Sequence, residues 1–506
     1  MTRPLVRFAG LIAAAIVGTW LVYGATLAYG FHYDDYHFVK PYPSAEVLAT
    51  FSGPWDAAGI ERRFYRPLTI AFYALRFELF GLNAQAHHTA SLILFACASV
   101  LAGLLAGRIA GSWAAAALAA AVFVAHPAMA YAQAVWITNQ MHLLASLIVL
   151  GALLWWSWIA GRGVAWWLPL LPLAAAAFLV KEDGIMLLPV VLLLHAFRRR
   201  LVDPDLAPAP RPFIALAALV LIGLVALRHV MLGGIGGYGL PSPAEAAVNF
   251  GKGLVRVFAL MPSRAPWLPP PTWFAIALPL AALACWRRAS PGVRFLFLAG
   301  GVIGVVFNLP FVLVTKKEQL HLVALGSSLL LAGSALTVIE AARSRAIRTA
   351  AIIPIAVGLT ACAAIARQAS MDFEPFGRMV LTADEIVRTW TAVPVEIRDY
   401  LERKAETDAR DQVAPNPVDQ LQWVAFGLHP VETSVDGIAY RRVSPEGADV
   451  LVREGIRTIV IRMRASDGVW QERSYDFRAA DLPRMTRMHR VRIHGPGLQV
   501  GGITVQ

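Results

Sequence analysis

Charged residues are scarce in this chain of 506 residues: they make up 15% of it, whereas 57% of its residues are hydrophobic. A chain of this length with so little charge cannot bury its apolar surface in one water-soluble core. The composition therefore excludes a soluble globular protein and predicts an integral membrane protein. A membrane-crossing helix needs about 20 mainly apolar residues. The apolar runs predict eleven such helices, at 8–29, 86–107, 113–130, 143–160, 164–180, 184–197, 212–232, 272–286, 295–314, 321–341 and 349–366.

Cysteine is almost absent, and the sequence has no internal repeat of fixed period. The three cysteines, Cys97, Cys285 and Cys362, all fall in predicted membrane helices, and none follows Met371. The region from Met371 onward therefore gains nothing from disulfides and must fold on its own core.

The net charge of +12 comes entirely from the membrane part of the chain. Residues from Met371 onward include 18 basic and 20 acidic ones, which leaves 27 basic against 13 acidic before them. Such a surplus in membrane loops follows the positive-inside pattern and does not indicate a nucleic-acid partner. With a cytoplasmic N-terminus, the inner loops hold Arg3, Arg7, Arg108, Arg162, Arg198, Arg199, Arg200, Arg211, Arg287, Arg288, Arg294, Arg343, Arg345 and Arg348, opposed by Asp203, Asp205 and Glu340. Eleven crossings then place the C-terminal region outside the cytoplasm.

The prediction is a mainly α, polytopic membrane protein in two parts. Residues 1–370 form the membrane domain, with outer loops at 31–85 and 233–271, and residues 371–506 form a small extracytoplasmic α+β domain. Each outer loop has a segment with helical spacing, at 68–80 and 246–260, that suits a helix lying in the membrane interface. In the second part, helical spacing at 381–410 precedes predicted strands at 421–426, 458–464, 470–477, 491–494 and 498–505, with Ser466-Asp467-Gly468 as a hairpin turn.

Two adjacent carboxylates, Asp34 and Asp35, follow the first apolar run. Adjacent carboxylates beside a hydrophobic segment repel each other and lose solvation, so they indicate a function that needs negative charge at a membrane surface. An ordinary solvated loop is the alternative. Further charge lies in two predicted outer turns, 181–184 (Lys-Glu-Asp-Gly) and 316–318 (Lys-Lys-Glu). The lysines of the second turn break the positive-inside trend, which makes them informative.

Five short motifs occur in a fixed order along the predicted outer face. They are Tyr33-Asp34-Asp35-Tyr36, Tyr65-Arg66-Pro67-Leu68, Phe80-Gly81-Leu82-Asn83 followed by His88, His126-Pro127 with Trp136-Ile137, and Val180-Lys181-Glu182-Asp183-Gly184. Over residues 8–340 the chain resembles the GT-C superfamily of polytopic glycosyltransferases, which take a sugar from a polyprenyl-phosphate carrier. Within it, the chain is most similar to bacterial relatives of the membrane O-mannosyltransferases that carry tetratricopeptide repeats, but it has no repeats.

The resemblance implies transfer of a sugar from a polyprenyl phosphate to a glycan, protein or lipid acceptor, on the periplasmic side of a bacterial inner membrane. This chemistry needs a carboxylate that takes the proton of the acceptor hydroxyl, and cations that stabilise the departing phosphate. Asp34 is the expected base, and Asp35 is expected to hold the sugar, the acceptor or a divalent metal such as Mg or Mn. The expected phosphate ligands are Arg66, Lys181, Lys316 and Lys317, and the expected supporting residues are Glu182 as the tether of Lys181, His126, His88, His37 and Glu318.

Each of these residues also has a structural interpretation. A single histidine at a helix end is commonly a satisfied structural group, Lys181 and Glu182 can neutralise a tight turn, and Lys316 and Lys317 can snorkel to the interface. The chain also departs from the family pattern, with Tyr131, Ala132 and Gln133 where an acidic residue is usual, Gln140 and His142 where an arginine and an acid are usual, and Gln319 where an arginine is usual.

Two other classes of function stay open at this stage. A transporter or flippase of a lipid-linked intermediate would place charges near the bilayer midplane and show two related halves. A catalytically inactive scaffold would use its C-terminal region to recruit partners.

Overall fold

The computed structural model describes residues 3–29, 35–39, 42–54, 64–81, 83–129, 136–234, 241–258, 260, 270–312 and 320–371, and six strands between residues 441 and 505. The membrane part is mainly helical in its described ranges. Its helices are α1 (Arg3–Tyr23), α2 (Asp35–Phe38), α3 (Ser44–Ala49), α4 (Pro67–Phe80), α5 (Ala84–Ala110), α6 (Trp113–Ala125), α7 (Pro127–Met129), α8 (Gln140–Ile159), α9 (Val164–Trp167), α10 (Leu170–Val180), α11 (Leu187–Leu201), α12 (Arg211–Leu232), α13 (Pro243–Phe258), α14 (Pro270–Cys285), α15 (Pro291–Asn308), α16 (His321–Ala341) and α17 (Arg345–Met371).

Among the described residues, seven helices are long and apolar enough to cross a membrane. They are Pro4–Ala28, Ala84–Ala110, Gln140–Ile159, Arg211–Leu232, Pro291–Val312, His321–Ala341 and Arg345–Met371. The chain is therefore a membrane-embedded helical protein. Four predicted spans coincide with shorter helices. The span 113–130 falls on α6, which has 13 residues, 184–197 on α11, which has 15, and 272–286 on α14, which has 16. The span 164–180 falls on α9 and α10, which share Val164–Val180. A crossing by these four stays a prediction.

The helix termini lie in two groups, one at each end of the bundle. At one, which we call the site end, Thr69 of α4 bonds to the carbonyl of Val180, and Ser370 of α17 to that of Val22. At the other, the arginine end, Glu340 of α16 accepts a hydrogen bond from the backbone of Ser290, and Arg198 of α11 donates to the carbonyl of Ser157. This alternation agrees with the predicted order of crossings; which end faces the cytoplasm stays a prediction.

Helix α16 forms the centre of the bundle, while α1, α12 and α17 lie at its edge. In an 18-residue apolar stretch of α16, 83% of the residues are buried. The corresponding share is 17% for α12 and 22% each for the helices that include α1 and α17. Apolar side chains that are exposed on a membrane protein face lipid tails, so the hydrophobic surface of the edge helices needs no protein cover.

Glycines bring α15 and α16 into backbone contact. A Cβ atom added to Gly300 would lie 2.2 Å from the backbone nitrogen of Leu330, and one added to Gly326 would lie 2.2 Å from that of Gly304. Gly300 and Gly304 form a small-xxx-small pattern, which lets membrane helices approach closely because lipid provides no hydrophobic drive between them. The pair is therefore held by direct packing.

We expect Gly300→Ala to lower the thermal midpoint of the purified protein in detergent, because forcing a methyl group into a close backbone contact costs about 1–3 kcal/mol. Gly301→Ala is the matched control, since its Cβ would meet only the Leu330 side chain, at 3.7 Å. Both changes gain the same helix propensity. Equal midpoints for the two variants would contradict the backbone contact.

The predicted interfacial segments are helices, α4 and α13, and both lie at the site end. Gly81 ends α4. Its φ of +53° is a backbone conformation that favours glycine. The side chain of Asn83 then caps α5 by accepting a hydrogen bond of 3.1 Å from the backbone of Ala86.

The C-terminal region contains two three-stranded antiparallel sheets, ordered β1-β2-β5 and β4-β3-β6. The strands are β1 (Arg441–Ser444), β2 (Gly447–Arg453), β3 (Thr458–Arg464), β4 (Trp470–Asp476), β5 (Met488–His494) and β6 (Gln499–Val505). Four of the predicted runs fall on β3 to β6, and β3 pairs with β4 as the predicted hairpin requires. The sequence interpretation missed β1 and β2. The predicted helix at 381–410 and the strand at 421–426 lie outside the described residues.

Candidate functional site

The site end collects charged and polar side chains from five separate parts of the chain. Asp35 starts α2, Arg66 precedes α4, and Arg228 lies in the last two turns of α12. The segment 181–186 joins α10 to α11, and His321 starts α16. The fold thus brings together residues that are up to 286 positions apart in sequence.

Asp35 is completely buried. Its Oδ1 accepts hydrogen bonds from the backbone nitrogen of Thr138, at 2.6 Å, and from the Thr138 hydroxyl, at 2.7 Å. A buried carboxylate is tolerated only when such donors replace the water it has lost. For Asp35, the solvated-loop interpretation is therefore wrong. Asp34 lies outside the described residues.

Tyr73 connects Asp35 with Arg66. Its hydroxyl donates a hydrogen bond to the carbonyl of Thr138 and accepts one of 3.3 Å from the backbone nitrogen of Met141. The sulfur of Met141 lies 3.5 Å from Nη1 of Arg66. Burial raises the pKa of Tyr73, with Asp35 adding to the rise and Arg66 opposing it. The hydroxyl therefore stays protonated, and it feels the charges of both residues.

Glu182 binds two arginines from different helices. Nε of Arg66 lies 3.0 Å from both carboxylate oxygens and its Nη2 lies 2.8 Å from Oε2, while Nη2 of Arg228 lies 3.8 Å from Oε1. Burial pushes the pKa of Glu182 up, but the two arginines outweigh it, so the pKa lies below its ordinary value. The carboxylate is ionised and holds the two guanidinium groups side by side.

Lys181 pairs with Asp183, and this corrects the expectation that Glu182 tethers it. Nζ of Lys181 lies 3.2 Å from Oδ2 of Asp183, and the two side chains are 4% and 2% exposed. Residues 182–186 form a 3₁₀ helix, in which successive side chains point about 120° apart. Glu182 and Asp183 consequently face different partners. Burial lowers the pKa of Lys181, against the pull of Asp183.

Two buried histidines, His321 and His142, lie next to the Lys181–Asp183 pair. Nε2 of His321 lies 3.9 Å from Oδ2 of Asp183, and the rings of His142 and His321 stack with centroids 4.6 Å apart. Both histidines are buried. His142 is one of the positions where the chain departs from the family pattern, so this stack is a feature that the resemblance did not imply.

Gly184 is needed because the segment packs directly on α10. A Cβ at this position would lie 2.4 Å from the carbonyl carbon of Ala177 and 2.7 Å from the nitrogen of Phe178. Real Cβ contacts are never this short, so any other residue would push the segment, and with it Lys181, Glu182 and Asp183, away from α10.

The three expected histidines differ in their surroundings. His126 accepts a hydrogen bond from the backbone of Ala128 at Nδ1, and its Nε2 bonds to Ser327. Both ring nitrogens of His126 are thus used inside the bundle, as in its structural interpretation. His88 is buried, with its ring edge-on to that of Tyr29. The side chain of His37 lies outside the described residues.

Sequence reasoning missed Arg228 and Thr138. Arg228 carried a usable signal, because it is a basic residue at the predicted outer end of an apolar run, and so departs from the positive-inside trend just as Lys316 and Lys317 do. Thr138 carried none, since it acts through one backbone nitrogen and one hydroxyl. Lys316, Lys317 and Glu318 lie outside the described residues.

The described residues do not form a metal site on their own. A divalent metal needs several oxygen or nitrogen ligands. Within the described ranges, no three His, Cys, Asp or Glu side chains converge as a ligand set. Oδ1 of Asp35 is bound to Thr138, and the neighbouring Asp34 lies outside those ranges.

Among solved structures, the chain is similar to an oligosaccharyltransferase from the archaeon Archaeoglobus fulgidus. The match to its complex with Zn and sulfate has a TM-score of 0.47 and 14% sequence identity, over 71% of this chain and 53% of that one. The match to its apo form has a TM-score of 0.47 and 11% identity, over 96% and 76%. The match to its complex with an inhibitory peptide and a dolichol phosphate has a TM-score of 0.45 and 13% identity, over 72% and 56%. This chain thus spans about half of the first matched structure. No protein-family model and no curated protein matches it.

We expect Glu182→Gln to lower the free energy of unfolding by about 1–3 kcal/mol, less than for a fully buried ion pair because the Glu182 side chain is 22% exposed. The change leaves Arg66 and Arg228 facing each other without a carboxylate. Thermal unfolding in detergent measures the effect. Glu340→Gln, at the exposed arginine end, is the control and should cost less than about 1 kcal/mol. Equal losses would mean that Glu182 does not hold the arginines.

Proposed function

We propose that the chain is a GT-C-type glycosyltransferase that moves a sugar from a polyprenyl-phosphate donor to an acceptor, on the periplasmic side of a bacterial inner membrane. The observation that carries the proposal is that the buried Asp35 carboxylate and the Arg66–Glu182 pair lie at the same end of a lipid-exposed bundle, linked through Tyr73. A soluble loop would not bury this carboxylate, and a purely structural bundle has no need of these charges at its end.

In the proposed reaction, a carboxylate takes the proton of the acceptor hydroxyl while that oxygen attacks the anomeric carbon of the sugar. The bond from the anomeric carbon to the phosphate oxygen breaks, and its electron pair leaves with the phosphate. By the resemblance, Asp34 is the base. The hydrogen bonds from Thr138 suit Asp35 to the supporting role, because they fix the position of its carboxylate.

The charges around Glu182 and Asp183 favour an anionic substrate. Arg66 and Arg228 pair with Glu182 and Lys181 pairs with Asp183, so these five residues together carry one net positive charge. Fixed cations next to a departing phosphate stabilise the charge that develops on it, without reorganisation during the reaction. Lys316 and Lys317 remain candidates for the same role.

The positions of charge also favour an enzyme over a transporter. In the seven membrane-length helices, every Asp, Glu, Lys and Arg lies within five residues of a helix end. Transporters concentrate such residues near the bilayer midplane. The inactive-scaffold alternative is tested by donor hydrolysis: a purified protein that neither transfers nor hydrolyses the labelled donor would support it.

We expect Asp34→Asn to abolish sugar transfer in membrane vesicles given a labelled polyprenyl-phosphate sugar, with a loss of at least about 100-fold, because general-base catalysis contributes about 10²–10⁴. Expression and thermal midpoint should stay normal. Glu78→Gln, at an acid on α4, is the control. Full activity of Asp34→Asn would remove Asp34 from the chemistry.

We expect Asp35→Asn to reduce both transfer and the thermal midpoint, because the amide loses the charge-assisted hydrogen bonds from Thr138. Comparing it with Thr138→Val, which removes one of the two donors, measures how far the loss is positional. Unchanged activity and stability in both variants would contradict the supporting role of Asp35.

A further inference from the structure

A cavity of about 540 Å³ lies between the edge helices α1 and α17 and the neighbouring helix α6. Its volume is within the range of small-molecule sites, about 300–1,000 Å³. Small residues leave this space open: Gly10, Ala14 and Gly18 follow one side of α1 at intervals of four, and Ala117 and Ala121 do the same on α6. Gly10 and Ala14 are exposed, so the cavity opens toward the surrounding lipid.

The cavity is long and narrow, because it follows α1 from Arg7 to Leu21. At a rise of about 1.5 Å per residue this distance is about 21 Å, or roughly two-thirds of a hydrocarbon layer about 30 Å thick. A helix of that length, about 10–12 Å across, would fill about 1,600–2,400 Å³, several times the volume of the cavity. A single hydrocarbon chain fits better, and it would restore the packing contacts that an apolar void lacks.

One end of the cavity carries a positive charge. Arg7 lines it, is exposed, and has no carboxylate partner within the described part of the chain. The hydroxyl of Tyr23 donates a hydrogen bond of 2.9 Å to the carbonyl of Val124, so α1 and α6 run in the same direction. Trp113, which starts α6, therefore lines the cavity at the same end as Arg7. Tryptophan and arginine are residues that the membrane interface favours.

We propose that this cavity binds an anionic phospholipid of the surrounding bilayer, with one acyl chain along α1 and the phosphate at Arg7. The planar guanidinium matches two phosphate oxygens. A head group with net negative charge adds to this attraction, whereas the ammonium of a zwitterionic head group opposes it. The lipid would fill the gap between α1 and α17, which are joined beyond it by the hydrogen bond from Arg367 to the carbonyl of Leu21. This inference does not depend on the proposed sugar transfer.

The test is native mass spectrometry of the full-length protein in detergent, with dioleoyl phosphatidylglycerol and dioleoyl phosphatidylcholine as separate probes. The two lipids have the same tails and differ in the charge of the head group. We expect the wild type to bind one phosphatidylglycerol more tightly than phosphatidylcholine. Arg7→Gln should lower the affinity for phosphatidylglycerol about 5-fold, since one basic residue near an anionic lipid contributes about 1 kcal/mol. Arg211→Gln is the matched control, because Arg211 is an exposed arginine at the start of α12 and does not line the cavity.

A second variant, Gly10→Trp, tests where the acyl chain lies. A Cβ atom added to Gly10 would meet no atom within 4 Å, so the indole can occupy the cavity without displacing the backbone. We expect it to weaken binding of both lipids at least about 10-fold, because the acyl chain loses apolar contact area. Gly223→Trp is its control, since Gly223 is also exposed on a membrane helix with open space around it.

The outcomes separate the two parts of the inference. Equal wild-type affinity for the two lipids, or equal losses in Arg7→Gln and Arg211→Gln, would overturn the contact between Arg7 and the head group. Unchanged lipid binding by Gly10→Trp would overturn the position of the acyl chain. A wild-type dimer that Gly10→Trp converts to a monomer would show that this face joins two copies of the chain and would overturn lipid binding there.

Thermal unfolding of the same variants checks that each is folded. Phosphatidylglycerol should raise the thermal midpoint of the wild type more than that of Arg7→Gln, because a ligand stabilises the folded state in proportion to its occupancy. If Gly10→Trp does not fold, Ala14→Leu takes its place, since Ala14 lines the same cavity one helical turn further along. Wild-type affinity for both lipids in folded Ala14→Leu would contradict the inference in the same way.

Discussion

The carboxylate of Glu182 holds two arginines that arrive from different parts of the bundle, and the site depends on this interaction. Arg66 stands at the start of α4 and Arg228 near the end of α12, so without Glu182 two partly buried guanidinium groups would lie near each other with no carboxylate between them. The Arg66–Glu182 ion pair also holds α4 against the end of α10, as does the hydrogen bond of 2.6 Å from Thr69 to the carbonyl of Val180. Tyr73, and through it Thr138 and Asp35, is positioned by the same helix.

The sequence predicts the helical membrane part well because hydrophobicity acts along the whole chain. The apolar runs locate the helices, and the loop charges predict which ends lie together. Helix length is less predictable: α6 has 13 residues where a span of 113–130 was expected, because Pro127 and the turn before it end the helix inside the apolar run. Apolar composition alone does not distinguish a helix from an apolar turn. In the C-terminal region β1 and β2 were missed because their runs mix arginines with small residues.

The site was predictable in its members but not in its contacts. The sequence indicated that Asp35, Arg66, Lys181 and Glu182 belong together, since each follows or precedes an apolar run on the same predicted side. It could not indicate that Glu182 faces Arg66 while Asp183 faces Lys181, because that choice depends on the 3₁₀ geometry of 182–186. Asp183, His142 and His321 owe their roles to packing between distant helices, which no local spacing records.

The site has an inner and an outer layer, and their electrostatics give them different roles. The inner pair of Lys181 and Asp183 is almost fully buried and neutral as a pair, so drawing Lys181 toward a phosphate would leave Asp183 buried without its cation, at a large desolvation cost. The outer group of Arg66, Glu182 and Arg228 is partly exposed and has one excess positive charge. Of these two groups of described residues, the outer one can accept an anion and end up closer to neutrality. A phosphate contact from Arg66 or Arg228 would therefore cost less desolvation than one from Lys181, whose role as a phosphate ligand stays a prediction.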